Sequence, residues 1–383
     1  LFIFGYIPEK FTFVRIGTIS AIHAPVRIIA SIMLQRPISM DFNRVRINKP
    51  VQEIKMMGSF VDEKRPALVP DPMVYIRAAH QHGLQKAGAP PGVIVKKDKT
   101  VPIMASLIAL LSLAACIYPQ LDKRGTGPVV VTSIRGEEVV LHGYGPYRHM
   151  PADVAIQGIA QDLFTIIVGI PLLLAGIVMH RKSAKGKVFF TGVAGYFLVQ
   201  YFMYLGMGTY NELFLPWAVL VFLSLNTFIR LALGLRDEIQ SVPPKRRYVS
   251  VFLIVNGLLM AALWLQLILG PLLQGRLYPA GLSHFTTMIV QGFDLALFLP
   301  PSIMAGWAYG KGRKTGLVLA PVYAVFLSLQ MGALLSKIVG MSLTGVAVGP
   351  VIVIIPCLLA GALAAAFLAL KAYGEVPHAP AHA

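Results

Sequence analysis

A chain of 383 residues that is 56% hydrophobic and only 13% charged is too apolar to be two or three soluble domains of ordinary composition. Its formal net charge of +17 invites a nucleic-acid reading, but no basic run is interleaved with aromatics as a base-stacking surface requires. Basic loops that flank membrane spans and meet anionic lipid account for the charge instead. The two cysteines, Cys116 and Cys357, lie in separate apolar stretches, so neither a CxxC pair nor a disulfide framework is present.

Residues 1–100 are mixed in character, with prolines and charges breaking every apolar run. The stretch Phe13 to Leu34 is the one long candidate helix, and Arg15, His23, Pro25 and Arg27 within it suit a surface better than a span. Met56, Met57 and Met73 are alternative starts, so residues 1–55 read as a poorly ordered extension or as sequence outside the natural product. No charged n-region, apolar h-region and small-residue cleavage site occur together, so no cleaved signal peptide is expected.

From Val101 the pattern becomes regular. About 20 apolar residues at 1.5 Å each cross a ~30 Å hydrocarbon core, and without water each such stretch must satisfy its own backbone as a helix. The sequence predicts eight spans, at 101–119, 155–179, 188–207, 213–233, 249–273, 285–309, 317–338 and 346–371. The expected fold is therefore an all-α integral membrane protein, with a membrane domain over 101–373 and a short tail at 374–383. Loops after the even-numbered spans hold Arg181, Lys182, Lys185 and Lys187, then Arg236, Lys245, Arg246 and Arg247, then Lys311, Arg313 and Lys314. The opposite loops are poorer in Lys and Arg, which predicts both termini in the cytoplasm of a bacterial inner membrane.

The loop 120–153 is the one sizeable element expected outside. Val129 to Thr132 and Val139 to His142 flank Arg135-Gly136-Glu137-Glu138, the pattern of a short β-hairpin. An isolated hairpin is marginal in water, so it should pack on the helix ends as a cap.

Sliding the chain by 130 residues aligns Pro171, Ala175, Gly176, Gly186, Val188 and Gln200 with Pro301, Ala305, Gly306, Gly316, Val318 and Gln330. No gap is needed. This predicts two parallel four-span repeats, about 101–235 and 249–373, related by an axis along the membrane normal.

An ionisable side chain inside a bilayer costs roughly 2.5–3.5 kcal/mol on insertion scales, so each one needs a reason. Asp162 lies in the second span, with Gln157 and Gln161 four apart on one face and the aspartate about 100° round from Gln161. Asp294 lies in the sixth span, with Gln291 three residues earlier on the same face. Gln200 and Gln330 fall mid-span in the third and seventh. These residues, with Glu212 at the start of the fourth span, form an expected acidic pocket in the outer half of the bilayer, centred on Asp162 and Asp294. Two carboxylates there would hold a cation or share a proton released on solute binding. Taken alone, the glutamines read rather as interhelical hydrogen-bonding groups. Glu212, Lys337 and His284 suit solvated interfacial positions. Prolines at 171, 300, 301, 321, 350 and 356 permit kinks within spans.

Paired in-span histidines for a haem, a Gly-x-Ser-x protease segment and a GxxxxGK[ST] phosphate loop are all missing from the sequence, as are CxxC, HExxH and zinc-ligand spacings. Gln291-Gly292-Phe293-Asp294 is not the Gly-x-Gly-Asp of intramembrane aspartyl proteases. No cofactor and no metal is therefore expected. The expected partners are membrane lipid and a small solute or cation. The leading expectation is a small-solute or ion transporter. The alternatives are an integral membrane enzyme acting on a lipid or isoprenoid, or a non-catalytic subunit or assembly factor.

Overall fold

The computed structural model describes residues 99–235 and 246–374. The expectations for 1–98, for the basic residues Arg236 and Lys245, and for 375–383 lie outside the described residues. Eight helices there are long and apolar enough to cross a membrane: α1 Thr100–Leu121, α2 Ala152–Met179, α3 Ala184–Met207, α4 Phe214–Leu235, α5 Arg247–Leu273, α6 Ile289–Gly310, α7 Lys314–Leu343 and α8 Val351–Ala372. Each overlaps one expected span. The peripheral helices turn large apolar side chains outward, among them Leu110, Phe222, Leu233 and Phe367, as a hydrocarbon surrounding favours.

Boundaries moved where capping, rather than hydropathy, decides them. Helix α6 begins four residues later than expected, because Met288 takes a non-helical ψ of 72° immediately before it and Ser283 holds a φ of 51°. Helix α7 runs on to Leu343, where the Thr344 amide closes its last turn.

Two helices depart from regular geometry in the same way. Residues Thr165–Gly169 of α2 and Asp294–Phe298 of α6 are π-helical, with the Ile170 amide reaching the Thr165 carbonyl and the Leu299 amide reaching the Asp294 carbonyl. The cause is in the sequence. Pro171 removes the donor that would serve Ile167 O, and Pro300 and Pro301 do the same for Ala296 and Leu297. A widened turn absorbs the ring clash without breaking the span.

Helices α3 and α7 are mostly buried, whereas a third or less of each other span is. In one half α1 packs on α2 and α4, and α3 on α2 and α4; in the other α5 packs on α6 and α8, and α7 on α6 and α8. The halves meet where α3 crosses α7 at Gly192, whose absent Cβ would stand 2.6 Å from the Val325 side chain. Helix α7 also lies close on α2, since a Cβ at Gly340 would stand 2.8 Å from Ala160. Small residues permit such approaches, and dispersion and backbone contacts reward them.

The tight turns into α3 and α7 are alike. Helices start at Ala184 and at Lys314, and a Cβ on Gly186 or Gly316 would lie 2.1 Å from backbone of the preceding helix, at Met179 and Tyr309 respectively. No other residue fits at either place.

The hairpin pairs β1 (Val129–Thr132) with β2 (Glu138–Leu141) in register Val129 to Leu141. Its second strand sits one residue earlier than expected, taking Glu138 and releasing His142. The reason is the turn: Ser133 N bonds Glu137 O at 2.7 Å, leaving a three-residue loop with Gly136 at φ 84°, a standard glycine-dependent closure. Val139 and Leu141 face inward. At the tip, Arg135 donates to the Ser283 carbonyl of the α5–α6 loop and stacks over Tyr278, so the hairpin bridges the two halves on this face.

Candidate functional site

Among the described residues, three Asp, Glu, Lys or Arg side chains are sequestered inside the bundle: Asp162 at 0% exposure, and Asp294 and Lys337 at 1% each. By helix rise, Asp162 lies roughly 15 Å, Asp294 roughly 8 Å and Lys337 roughly 9 Å from the hairpin-side ends of their helices. Burial of Lys337 corrects the solvated position expected for it. The residue lies at i+14 from Tyr323 and i+7 from Gln330 on α7, a spacing that keeps all three on one face. Lys337 is within electrostatic range of both Asp162 and Asp294. Among the described residues the two aspartates share no hydrogen-bond partner, and each sits in its own cluster.

The Asp162 cluster is closed and hydrogen-bonded. Tyr147 Oη donates to Asp162 Oδ2 at 2.8 Å and Tyr204 Oη lies 2.9 Å from Oδ1. Tyr204 Oη is also 3.0 Å from the Gly158 carbonyl. Its single proton serves one acceptor at a time. With the carboxylate ionised, both phenols donate to it. With the carboxyl protonated, Asp162 donates to Tyr204, which turns to Gly158. The cluster thus accommodates one proton more or less without leaving a polar atom unserved.

Local structure holds this arrangement. Tyr147 arrives on a single 3-10 turn, Gly145–Tyr147, and stacks on Trp217 at 6.4 Å between centroids. Gly158 leaves room for that ring, and a Cβ on Gly208 would strike Trp217 at 2.4 Å. One turn deeper, Thr165 Oγ1 lies 2.9 Å from both Tyr196 Oη and Gln200 Oε1. Tyr196, Gln200 and Tyr204 are spaced by four along α3 and line one face of it. Cys116 Sγ, from α1, is 3.6 Å from Tyr201 Oη.

The Asp294 cluster is open. Trp264 Nε1 donates to Asp294 Oδ2 at 2.8 Å, and no second hydrogen bond to this carboxylate is found among the described residues. Asp294 lines a cavity between α3, α5, α6 and α7 together with Asn256, Tyr323 and Gln330. Tyr323 Oη is engaged by the Phe298 carbonyl at 2.6 Å. Asn256 Oδ1 and Gln330 Oε1 are buried without a partner.

The remaining expected residues divide between these clusters and other places. Gln161 is buried in α2 beside the Tyr196 hydroxyl. Gln157 and Gln291 line a second cavity under the hairpin face, with Asp153 and Thr287. Glu212, expected in the acidic pocket, is 41% exposed and pairs with Arg148 at 2.9 Å. His284 precedes α6 and is half-buried. Sequence reasoning missed Tyr147, Tyr204, Trp264 and Asn256. The four-residue spacing of Tyr196, Gln200 and Tyr204 was a legible signal for one of them.

No group of three or more potential metal-ligating His, Cys, Asp or Glu side chains occurs among the described residues. The chain matches no known family, and neither a curated protein nor a solved structure is detectably similar to it.

Proposed function

We propose that the protein is a multi-pass transporter of a small solute or ion in a bacterial cytoplasmic membrane, coupled to the protonation of Asp162. The carrying observation is the row Asp162, Lys337, Asp294, three ionisable groups buried to 1% exposure or less and in mutual electrostatic reach through Lys337. A carboxylate that only joined helices would be a costly choice, since neutral amides serve that purpose. A row of such groups is what proton relays through membranes are built from.

The hairpin face is outside and the face of Arg181, Lys182 and Arg313 is cytoplasmic by the charge of the loops. The chain is a duplicated four-span unit. The matching starts of α3 and α7, the equivalent glycine contacts and the π-turns beside Pro171 and Pro301 support this. A parallel repeat places a pseudo-twofold axis between α3 and α7.

Reconstitution into proteoliposomes with a trapped pH dye tests the reading. Proton uptake driven by an imposed gradient of solute is expected in wild type and is lost in Asp162→Asn. Full uptake in correctly inserted Asp162→Asn and Asp294→Asn proteins would end the proposal.

One observation favours a second reading. The cavity at Asp294 is lined largely by Met, Phe and Leu side chains, which suits an enzyme that protonates or deprotonates an apolar lipid there. Turnover of a lipid by purified protein without solute movement would select it.

A further inference from the structure

We propose that the corner between the start of α5 and the α6–α7 turn is a docking site for the headgroup of an anionic phospholipid, held by Arg313 over Trp307 with Arg247, Lys311 and Lys314 around it. The inference goes beyond the transport reading and does not depend on it.

Packing brings these residues to one place. Ser250 Oγ donates to the Gly306 carbonyl at 2.7 Å, and a Cβ on Gly310 would stand 2.6 Å from the same hydroxyl oxygen. The first turn of α5 is thereby pressed on the last turn of α6. Arg247 lies three residues before Ser250, on the side of α5 that faces α6, and Lys311 follows Gly310 directly. The chain then turns through Gly312, at φ 67°, with the Arg313 amide on the Ala308 carbonyl at 2.9 Å, a helix end closed by a left-handed residue. That reversal carries the Arg313 guanidinium back over the Trp307 ring, 4.2 Å from its centroid.

Charge and depth identify the occupant. Arg247, Lys311, Arg313 and Lys314 are all exposed, and none has an acidic partner among the described residues. The described aspartates and glutamates lie at the hairpin face or inside the bundle, so four cations meet here with no carboxylate to balance them. Trp307 is 46% exposed, on a helix that also turns Leu297 and Met304 outward. An exposed indole at the end of such a helix marks the level of bilayer headgroups. A guanidinium resting on an indole keeps its N–H fork free in its own plane. Arg313 makes no side-chain hydrogen bond to protein among the described residues, so the fork is open to a pair of phosphate oxygens, which it matches in bidentate fashion.

A loop that only obeyed the charge asymmetry of membranes would need no such arrangement. In the other half, 130 residues earlier, Ile177 stands in place of Trp307 and Ser183 in place of Arg313. Arg181, Lys182 and Lys185 are exposed there, with no exposed aromatic ring beneath them.

Quenching of tryptophan emission by phospholipids with brominated chains reads the site, because Trp217 and Trp264 are buried and Trp307 is the exposed indole of the three. For the full chain in nanodiscs, brominated phosphatidylglycerol should bind at Trp307 about tenfold or more tightly than brominated phosphatidylcholine, since each Lys or Arg beside an anionic headgroup is worth about fivefold. Arg313→Gln should weaken that preference about fivefold, Lys311→Gln with Lys314→Gln should weaken it at least as much, and Arg181→Gln should leave it unchanged. Equal affinity for the two lipids, or a preference that survives Trp307→Phe, would overturn the proposal. So would an equal loss in Arg181→Gln and Arg313→Gln, which marks diffuse charge, or relief of quenching by inorganic phosphate, which marks a site for a soluble anion. Proton uptake in proteoliposomes decides the transport reading separately.

Discussion

The half built from α1 to α4 and the half built from α5 to α8 share two backbone features and differ in what surrounds their aspartates. Both carry a π-turn next to proline, both enter the central helix through a glycine pressed on the helix before it. Yet Asp162 is enclosed by tyrosines, while Asp294 faces a cavity with one indole for company. The lesson is that the backbone and the chemistry answer to different residues. Prolines and glycines fix where helices bend and how closely they approach. Within that frame the surroundings of the two acids differ: two phenols meet Asp162, whereas Asp294 has one indole and a cavity.

The largest effects are expected where the halves are alike. Gly186→Ala and Gly316→Ala each place a methyl about 2 Å from backbone, a clash that side-chain motion does not relieve. Overpacking usually costs about 1–3 kcal/mol and more where backbone must move. Both variants should lose most of their monodisperse fraction in fluorescence-detected size exclusion, and to a similar degree. If one variant behaves as wild type, the two turns are not equivalent and the proposed duplication fails.

A smaller and more pointed test uses the glutamines 130 residues apart. Gln200 accepts from Thr165, whereas Gln330 stands at the cavity with its carbonyl oxygen unpartnered. Gln200→Leu takes one acceptor from Thr165, whose hydroxyl keeps the Gln161 carbonyl at 2.8 Å, and also removes the unpartnered Gln200 Nε2, so it should lower stability by under about 1 kcal/mol. Gln330→Leu removes an unsatisfied group and should be neutral or mildly stabilising. Thermal unfolding in detergent reads both. Equal losses would show that the two clusters are built alike after all, and that the contrast drawn here between closed and open sites is wrong.

Much of the plan was legible because it depends on long-range averages of hydropathy. All eight helices fall where apolar length places them, and the hairpin is within one residue of its expected register. The aspartates stood out because charge inside an apolar run is conspicuous. Lys337 was misjudged because its place near the end of an apolar run is compatible with snorkelling to solvent, and only the packing of α7 against α2 and α6 closes that exit. Tyr147 was invisible for another reason: it comes from a loop, and no helical periodicity connects it with Asp162. Trp264 and Asn256 lie on α5, whose sequence gives no clue to which face meets α6. Pairing between helices is decided by close approaches at residues such as Gly257 and Gly306, and a single sequence leaves glycine's role ambiguous between approach and tolerance.

The smallest expected effect lies outside both clusters, at the Arg148–Glu212 pair on the hairpin face. Glu212 is held below its ordinary value of 4.5 by a hydrogen bond from its own backbone amide, against an opposing contribution from burial, and then by the Arg148 guanidinium. A carboxylate lowered in the folded state adds stability at neutral pH, and the addition disappears as pH falls below the ordinary carboxylate value. Because both partners are substantially exposed, at 32% and 41%, solvent screening limits the contribution to under about 0.5 kcal/mol. Glu212→Gln should therefore lower the melting temperature by about 1 °C at pH 7 and by progressively less as pH falls through the carboxylate's lowered value, while leaving proton uptake intact. A loss of proton uptake in this variant would move Glu212 from the rim into the working site, and would erase the separation between the exposed pair and the buried row.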